Sequence, residues 1–206
     1  ADVNDYSGNG RTLTNNNSAS FALGKFGNCV DFGASNANKY LNVNNNLGIT
    51  NKIVTIICWV KLNTEIASGI YGFVSLANST NKTVFVMSNK YNSGNRRMHF
   101  ALNKWGVGDT GVVDVTMTLG TAKWYQMAIS CDGSTLRAFV DGAQVGNAAV
   151  SGDGSSSPGD GFWIGYDRSN SAGYPSAKID EVSVFSSAMS AQEIRRRYAF
   201  QLGMLI

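Results

Sequence analysis

Charge is scarce in this chain. Only 15% of its 206 residues are Asp, Glu, Lys or Arg, against about 25% in an ordinary soluble domain. A net charge of +3 is too small to hold a phosphate backbone, so nucleic acid is not an expected partner. The basic clusters, Arg96–Arg97 and Arg195–Arg197, are short and read as solvated faces of a strand and a helix. With two prolines and no long helical patterns between the apolar runs, a parallel α/β sheet is not expected. No run approaches the roughly 18 apolar residues of a membrane span, and no signal peptide is visible, so membrane insertion is not expected. The sequence begins at Ala1 without a Met, which suggests a processed or trimmed product acting outside the cell or on a particle.

Cysteine is also sparse. Cys29, Cys58 and Cys131 are odd in number and lack C-x-x-C spacing, which argues against a disulfide framework and a zinc site. Cys58 in "TIICWVKL" and Cys131 in "MAISCDG" sit in apolar strand patterns and read as buried thiols, with a single bridge left open.

What is present is alternation. In "CDGSTLRAFVDG", residues 131–142, Leu136, Ala138 and Val140 share one face and Thr135, Arg137 and Phe139 the other. An Asp-Gly pair at each end suits a tight reversal, because glycine reaches positive φ without a Cβ clash and Asp tolerates it. The stretch predicts one strand of an antiparallel meander. Similar segments recur: "CVDFG", "KYLNV", "IVTIICWVKL", "YGFVSLA", "KTVFVMS", "RMHFALN", "VVDVTMTL", "KWYQMAIS", "GFWIGYD" and "KIDEVSVF". Asn, Ser, Gly and Asp clusters separate them. The apolar content of 43% supports a real core. The expected architecture is a single all-β domain over residues 1–206, a two-sheet antiparallel jelly-roll sandwich. One helix is expected near the end, where Ser190 and Glu193 form a capping box and Ile194 and Tyr198 share a face.

The ordered series "DYSGNGRTLTNN", "GKFGNCVDFGASNANKYLNV", "IVTIICWVKL", "KWYQMAISCDGSTLRAFVDGAQVG", "FWIGYD" and "AKIDEVSVFSSAMSAQEIRRRY" resembles the laminin G-like, concanavalin A-like jelly rolls of the microbial and viral branch. The W-x(6)-C-D-G-x(7)-D-G stretch followed by "IDEVSVF" carries most of the likeness. The resemblance implies an apolar first strand before "D-x-S-G-N-G", and this sequence begins too close to Asp5 to hold one. That place is then open, filled by "FQLGMLI", or filled by another chain.

The resemblance also implies calcium, held by Asp5, Asn9 and Asp180, oxygen donors of the kind a hard cation takes. The alternative is that Asp5 and Asp180 accept backbone N–H bonds. The fold hosts glycosidases as well, which need two facing carboxylates. No E-x-D-x-E occurs, and the glutamates are Glu65, Glu181 and the cap residue Glu193. Asp180 and Glu181, adjacent on a strand, are expected on opposite faces. A serine triad would depend on the single His99, which has no nucleophile elbow near it and reads as an ordinary strand residue. No dinucleotide fingerprint or P-loop is present. The chain is expected not to be an enzyme.

Binding remains. Trp105, Asp109, Tyr166, Asp167, Arg168, Asn170 and Tyr174 lie in loop contexts and are the candidate contacts for a glycan or surface polymer, aromatic rings supplying apolar faces and the others hydrogen bonds. Trp59, Trp124 and Trp163 sit in strand patterns and read as core. Two functions fit: an extracellular or particle-surface recognition module, and a structural subunit of a virion, phage appendage or filament, which would form a homo-oligomer or larger assembly.

Overall fold

The computed structural model describes residues 3–34, 37–49, 51–65, 68–77, 83–92, 94–104, 108–150, 161–167 and 173–204. Trp105, Arg168 and Asn170 lie outside the described residues. In chain order the strands begin with β1 (Thr14–Asn16), β2 (Ser20–Leu23), β3 (Asn28–Asp31), β4 (Tyr40–Val43) and β5 (Ile53–Leu62). They continue with β6 (Gly69–Ala77), β7 (Thr83–Asn92), β8 (Asn95–Lys104), β9 (Gly108–Thr116) and β10 (Tyr125–Asp132). β11 (Thr135–Val140), β12 (Ala143–Ala149), β13 (Gly161–Ile164) and β14 (Ala177–Phe185) follow, and then helix α1 (Ala191–Gln201). The strands form two seven-stranded sheets, a front sheet ordered β1-β4-β13-β6-β7-β8-β9 and a back sheet ordered β12-β11-β10-β5-β14-β3-β2. Every pairing is antiparallel.

The core lies between the sheets. The back sheet contributes Val54, Ile56, Cys58 and Val60 on β5 and Leu136, Ala138 and Val140 on β11, while the front sheet answers with Phe73, Phe85, Met87, Phe100 and Phe162. Each fully buried side chain of this size contributes about 1.5–3 kcal/mol. The opposite face of β5 is covered too. Ile57, Ala128 on β10 and Phe139 pack under Ile194 of α1 in a second cluster. A strand buried on both faces reads as a continuous apolar run, and "IVTIICWVKL" is such a run. Ser190 and Glu193 form the expected capping box. Ahead of it, the Thr55 hydroxyl donates to the Ser187 carbonyl (2.7 Å) and accepts the Met189 amide (2.9 Å). The Ser130 hydroxyl donates to the Met189 carbonyl (2.7 Å). These bonds fix where the helix begins.

The Asp-Gly reversals occur as the alternation predicts. Asp141 and Gly142 take φ of 49° and 74°, both left-handed, the geometry a two-residue hairpin turn requires. Asp132 Oδ1 accepts the Ser134 and Thr135 amides, and Arg137 Nη1 donates to its Oδ2 at 2.7 Å. That bond, with those from Ser134 and Thr135, holds the Asp132 carboxyl well below the usual carboxylate range. All three cysteines are free and buried.

Trp59 is buried as expected, on the helix-covered face of the back sheet, where it stacks on Tyr198 (5.7 Å, 21°) and meets Phe26 edge-on (5.6 Å). Two other expectations need correction. Trp124 and Trp163 are only half-buried. Glu181 does not simply alternate with Asp180. It sits in a bulge at φ 50°, so that Val182 and Val184 pack inward against the core.

Candidate functional site

The outward face of the front sheet gathers the exposed chemistry. Along β4, Leu41 enters the core, so Tyr40 and Asn42 face outward. Along β13, Phe162 and Ile164 are core, which sends Trp163 outward, opposite Asn42 on one side and Ser75 on the other. The indole lies back over Gly161, where any β-carbon would strike it, and packs against one end of a small outward-facing cluster of Ala77, Val86 and Ala101.

The chain after β13 doubles back across β6. Asp167 bridges Gly173, Gly72 donates its amide to the Gly173 carbonyl (2.9 Å), and Ser75 Oγ donates to the Tyr166 carbonyl (2.9 Å). A β-carbon on Gly72 would collide with the Asp167 backbone, so this approach requires glycine. The contacts bring Tyr166 and Tyr174 together at 4.8 Å and 18°, with Tyr40 at 5.6 and 6.1 Å from them. All three rings are half-buried. Burial, then the neighbouring Tyr166 and Tyr40, pushes the Tyr174 phenol upward. Beside them runs an amide chain: Asn16 Nδ2 donates to Asn42 Oδ1 (2.7 Å), and Asn42 Nδ2 to Asn44 Oδ1 (2.9 Å). Apolar rings next to a row of amides present stacking faces and paired donors and acceptors to one ligand.

Of the candidate binding residues, the structure unites Tyr166 and Tyr174. It buries Asp167 (1% exposed) and places the Asp109 backbone in β9, opposite Asn103. Tyr40, Asn16, Asn42 and Asn44 were not singled out by the sequence. The strand positions of Tyr40 and Asn42 in "KYLNV" were readable, those of Asn16 and Asn44 were not, and only the loop crossing at Gly72 brings the group beside Tyr166.

A polar row crosses the same face further along. Ser88 lies opposite His99, and His99 opposite Asp114. His99 Nδ1 is 2.6 Å from Asp114 Oδ1, with Lys90 and Arg97 at 3.7 and 3.8 Å from Oδ2. The His99 hydrogen bond, outweighing burial, holds the Asp114 carboxyl below the usual range. Base-activated serine chemistry uses a hydrogen bond from serine to base, and among the described residues the buried Ser88 hydroxyl has no such partner. His99 is a buried residue of β8 whose ring holds Asp114.

Of the three candidate calcium ligands, Asp5 and Asn9 share Ser7 as a partner, while Asp180 has a separate set. Asp5 accepts the Ser7 and Arg11 amides (2.8 and 2.9 Å), and Asn9 Nδ2 donates to Ser7 Oγ (2.7 Å). Asp180 accepts the amides of Lys25, Phe26 and Glu181 at 2.8–3.0 Å. Among the described residues, no three His, Cys, Asp or Glu side chains gather as metal ligands would. Asp180 fits a backbone clamp better than an ion site, whereas Asp5 keeps lone pairs to spare.

Two seven-stranded antiparallel sheets with a helix on the back define a jelly-roll sandwich of the lectin type. The chain belongs to the laminin G-like family whose model, described as the concanavalin A-like lectin/glucanases superfamily, matches residues 34–195. No curated protein matches it. Among solved structures it is similar to domain 4 of AbnA, an extracellular arabinanase of Geobacillus stearothermophilus solved with arabinotriose. The TM-score is 0.69 at 16% identity, over 95% of this chain and 92% of that one. It is also similar to the binding domain of botulinum neurotoxin serotype G, with a TM-score of 0.73 at 13% identity, over 96% of this chain. The binding domain of Paraclostridial Mosquitocidal Protein 1 has a TM-score of 0.68 at 16% identity, over 96% of this chain. The chain spans about half of those two binding domains, 48% and 49% of their lengths. At these identities the likeness establishes the fold.

Proposed function

We propose that the chain is a non-catalytic recognition or adhesion module that binds a glycan on the outward face of the front sheet. The observation that carries this reading is the Tyr40–Tyr166–Tyr174 cluster beside the Asn16–Asn42–Asn44 amides. Sugar rings offer apolar C–H faces that stack on such rings and hydroxyls that pair with amides. The arabinotriose bound by the arabinanase domain and the binding roles named for the toxin domains support the reading. An extracellular or particle-surface setting goes with it.

A second reading, a structural subunit of a particle or filament, draws on Leu23 and Phe200, each 81% exposed. Titration calorimetry against a panel of oligosaccharides, beginning with arabinotriose, tests the first reading. Light scattering tests the second. Saturable binding by a monomer supports recognition, while an assembly that binds no glycan supports the structural role.

A further inference from the structure

The polar end of the front sheet holds more donors than acceptors. Met87, Met98 and Phe100 enter the core, and Val113 and Val115 pack inward, so Ser88, Lys90, Arg97, His99 and Asp114 face outward. Lys90 and Arg97 stand directly opposite each other on β7 and β8. Like charges in that relation destabilise a sheet unless something sits between them. Asp114 is the carboxylate beside them. One of its oxygens meets His99 Nδ1 at 2.6 Å, and the other is 3.7 Å from Lys90 Nζ and 3.8 Å from Arg97 Nη1. The last two distances are ion pairs without a hydrogen bond.

Arg97 Nε and the hydroxyl of the fully buried Ser88 have no hydrogen-bond partner among the described residues. The Lys90 and Arg97 side chains keep 22% and 33% exposure, so both reach solvent. Asp167 crosses over Gly72, on the β6 side of Ser88, and is buried, so a ligand meets the two cations rather than that carboxylate. Two positive charges therefore share one negative charge, and what the group lacks is acceptors. A sugar hydroxyl donates as well as accepts and leaves the surplus charge unmatched. An oxyanion only accepts and carries the missing charge, and the arginine fork fits two oxygens of one such group.

The patch adjoins the tyrosines. Gly72, where their loop crosses, pairs with Ser88, and Ser88 with His99. β8 is thus two strands from the crossing, about 10 Å at the ordinary strand spacing. One short oligosaccharide lying across the strands spans that distance. We propose that, granted glycan binding at the tyrosines, Lys90 and Arg97 receive an anionic group of the same glycan, a carboxylate or a sulfate ester on one of its sugars. The tyrosine rings hold uncharged sugar faces, and the cation pair selects an acidic glycan over a neutral one of the same backbone.

The probes are trigalacturonate and its fully methyl-esterified twin, which keeps the backbone and loses the charge, and a sulfated galactose trimer with its unsulfated twin. Titration calorimetry on the whole chain reads each. At about 20 mM NaCl at least one charged probe should bind about tenfold or more tighter than its neutral twin. That advantage should shrink severalfold by about 0.5 M NaCl, while the neutral twins hold their affinity. A preference for trigalacturonate makes the carboxylate the recognised group, and a preference for the sulfated trimer makes it the sulfate. Either supports the site. Lys90→Gln and Arg97→Gln should each remove most of the advantage and leave the neutral twins unchanged. Should either variant melt early, the salt dependence of the unaltered protein decides. Neutral twins that bind as tightly as the charged probes overturn the anion site and leave glycan binding at the tyrosines standing. No saturable binding of any probe overturns both. A charge preference that persists in both folded variants overturns the assignment to Lys90 and Arg97.

Discussion

Gly142 lies against Tyr198. A β-carbon there would come within 2.8 Å of the Tyr198 β-carbon and 2.9 Å of its ring, and the residue holds φ at 74°. The second Asp-Gly reversal therefore serves two structures, the β11–β12 hairpin and the seat of α1. Gly142→Ala should cost about 2–4 kcal/mol in urea unfolding, combining left-handed backbone strain with overpacking. A cost under about 0.5 kcal/mol would show that α1 does not depend on this approach.

Thr55 fixes the start of the helix through two backbone bonds. Thr55→Val keeps the shape and takes the hydroxyl partner from the Ser187 carbonyl and the Met189 amide. It should destabilise the fold by about 1–3 kcal/mol while leaving glycan binding unchanged. An unchanged unfolding midpoint would contradict the latch.

Asp132 links stability to pH. Its folded value is depressed, first by the Arg137 bond and then by Ser134 and Thr135. Its contribution is therefore present above the ordinary carboxylate value of about 3.9 and is lost as pH falls below that toward the depressed folded value. The difference in urea midpoint between wild type and Asp132→Asn should be largest at neutral pH and shrink below pH about 4. A difference independent of pH would show that the carboxylate charge is not involved.

Calcium is tested by melting the protein with excess CaCl2 and with EDTA. If Asp5 and Asn9 supply an ion site, calcium raises Tm and Asp5→Ala removes the rise. If only backbone amides use Asp5, the two melts coincide.

Most of the sandwich was legible because its strands are apolar on one face or both. β5, β10 and β14 announce themselves, as does the capping box at Ser190. The strands that escaped were β1 "TNN", β2 "SFAL" and β12 "AQVGNAA". All are short or largely exposed and carry Asn, Ala or Gly, so their pairing comes from neighbours rather than from side-chain pattern. Half of the candidate site was legible for a related reason. Tyr166 and Tyr174 stand in a Gly-, Ser- and Asn-rich stretch that reads as a loop. Tyr40 joins them only through the crossing at Gly72 and Gly173, a long-range contact that no local pattern encodes. Trp163 misled because an aromatic in a strand signals burial without saying which face of the sheet it covers.

Sugar binding at the front-sheet tyrosines is what the proposed function requires. The most direct test is a chemical-shift titration of the protein with the oligosaccharide that binds best in calorimetry, repeated with Tyr166→Ala. Shifts are expected at Tyr40, Asn42, Trp163, Tyr166 and Tyr174. The variant is expected to lose about tenfold or more in affinity, with its melting temperature little changed. Shifts confined to other surfaces, or full affinity in Tyr166→Ala, would contradict binding at these tyrosines.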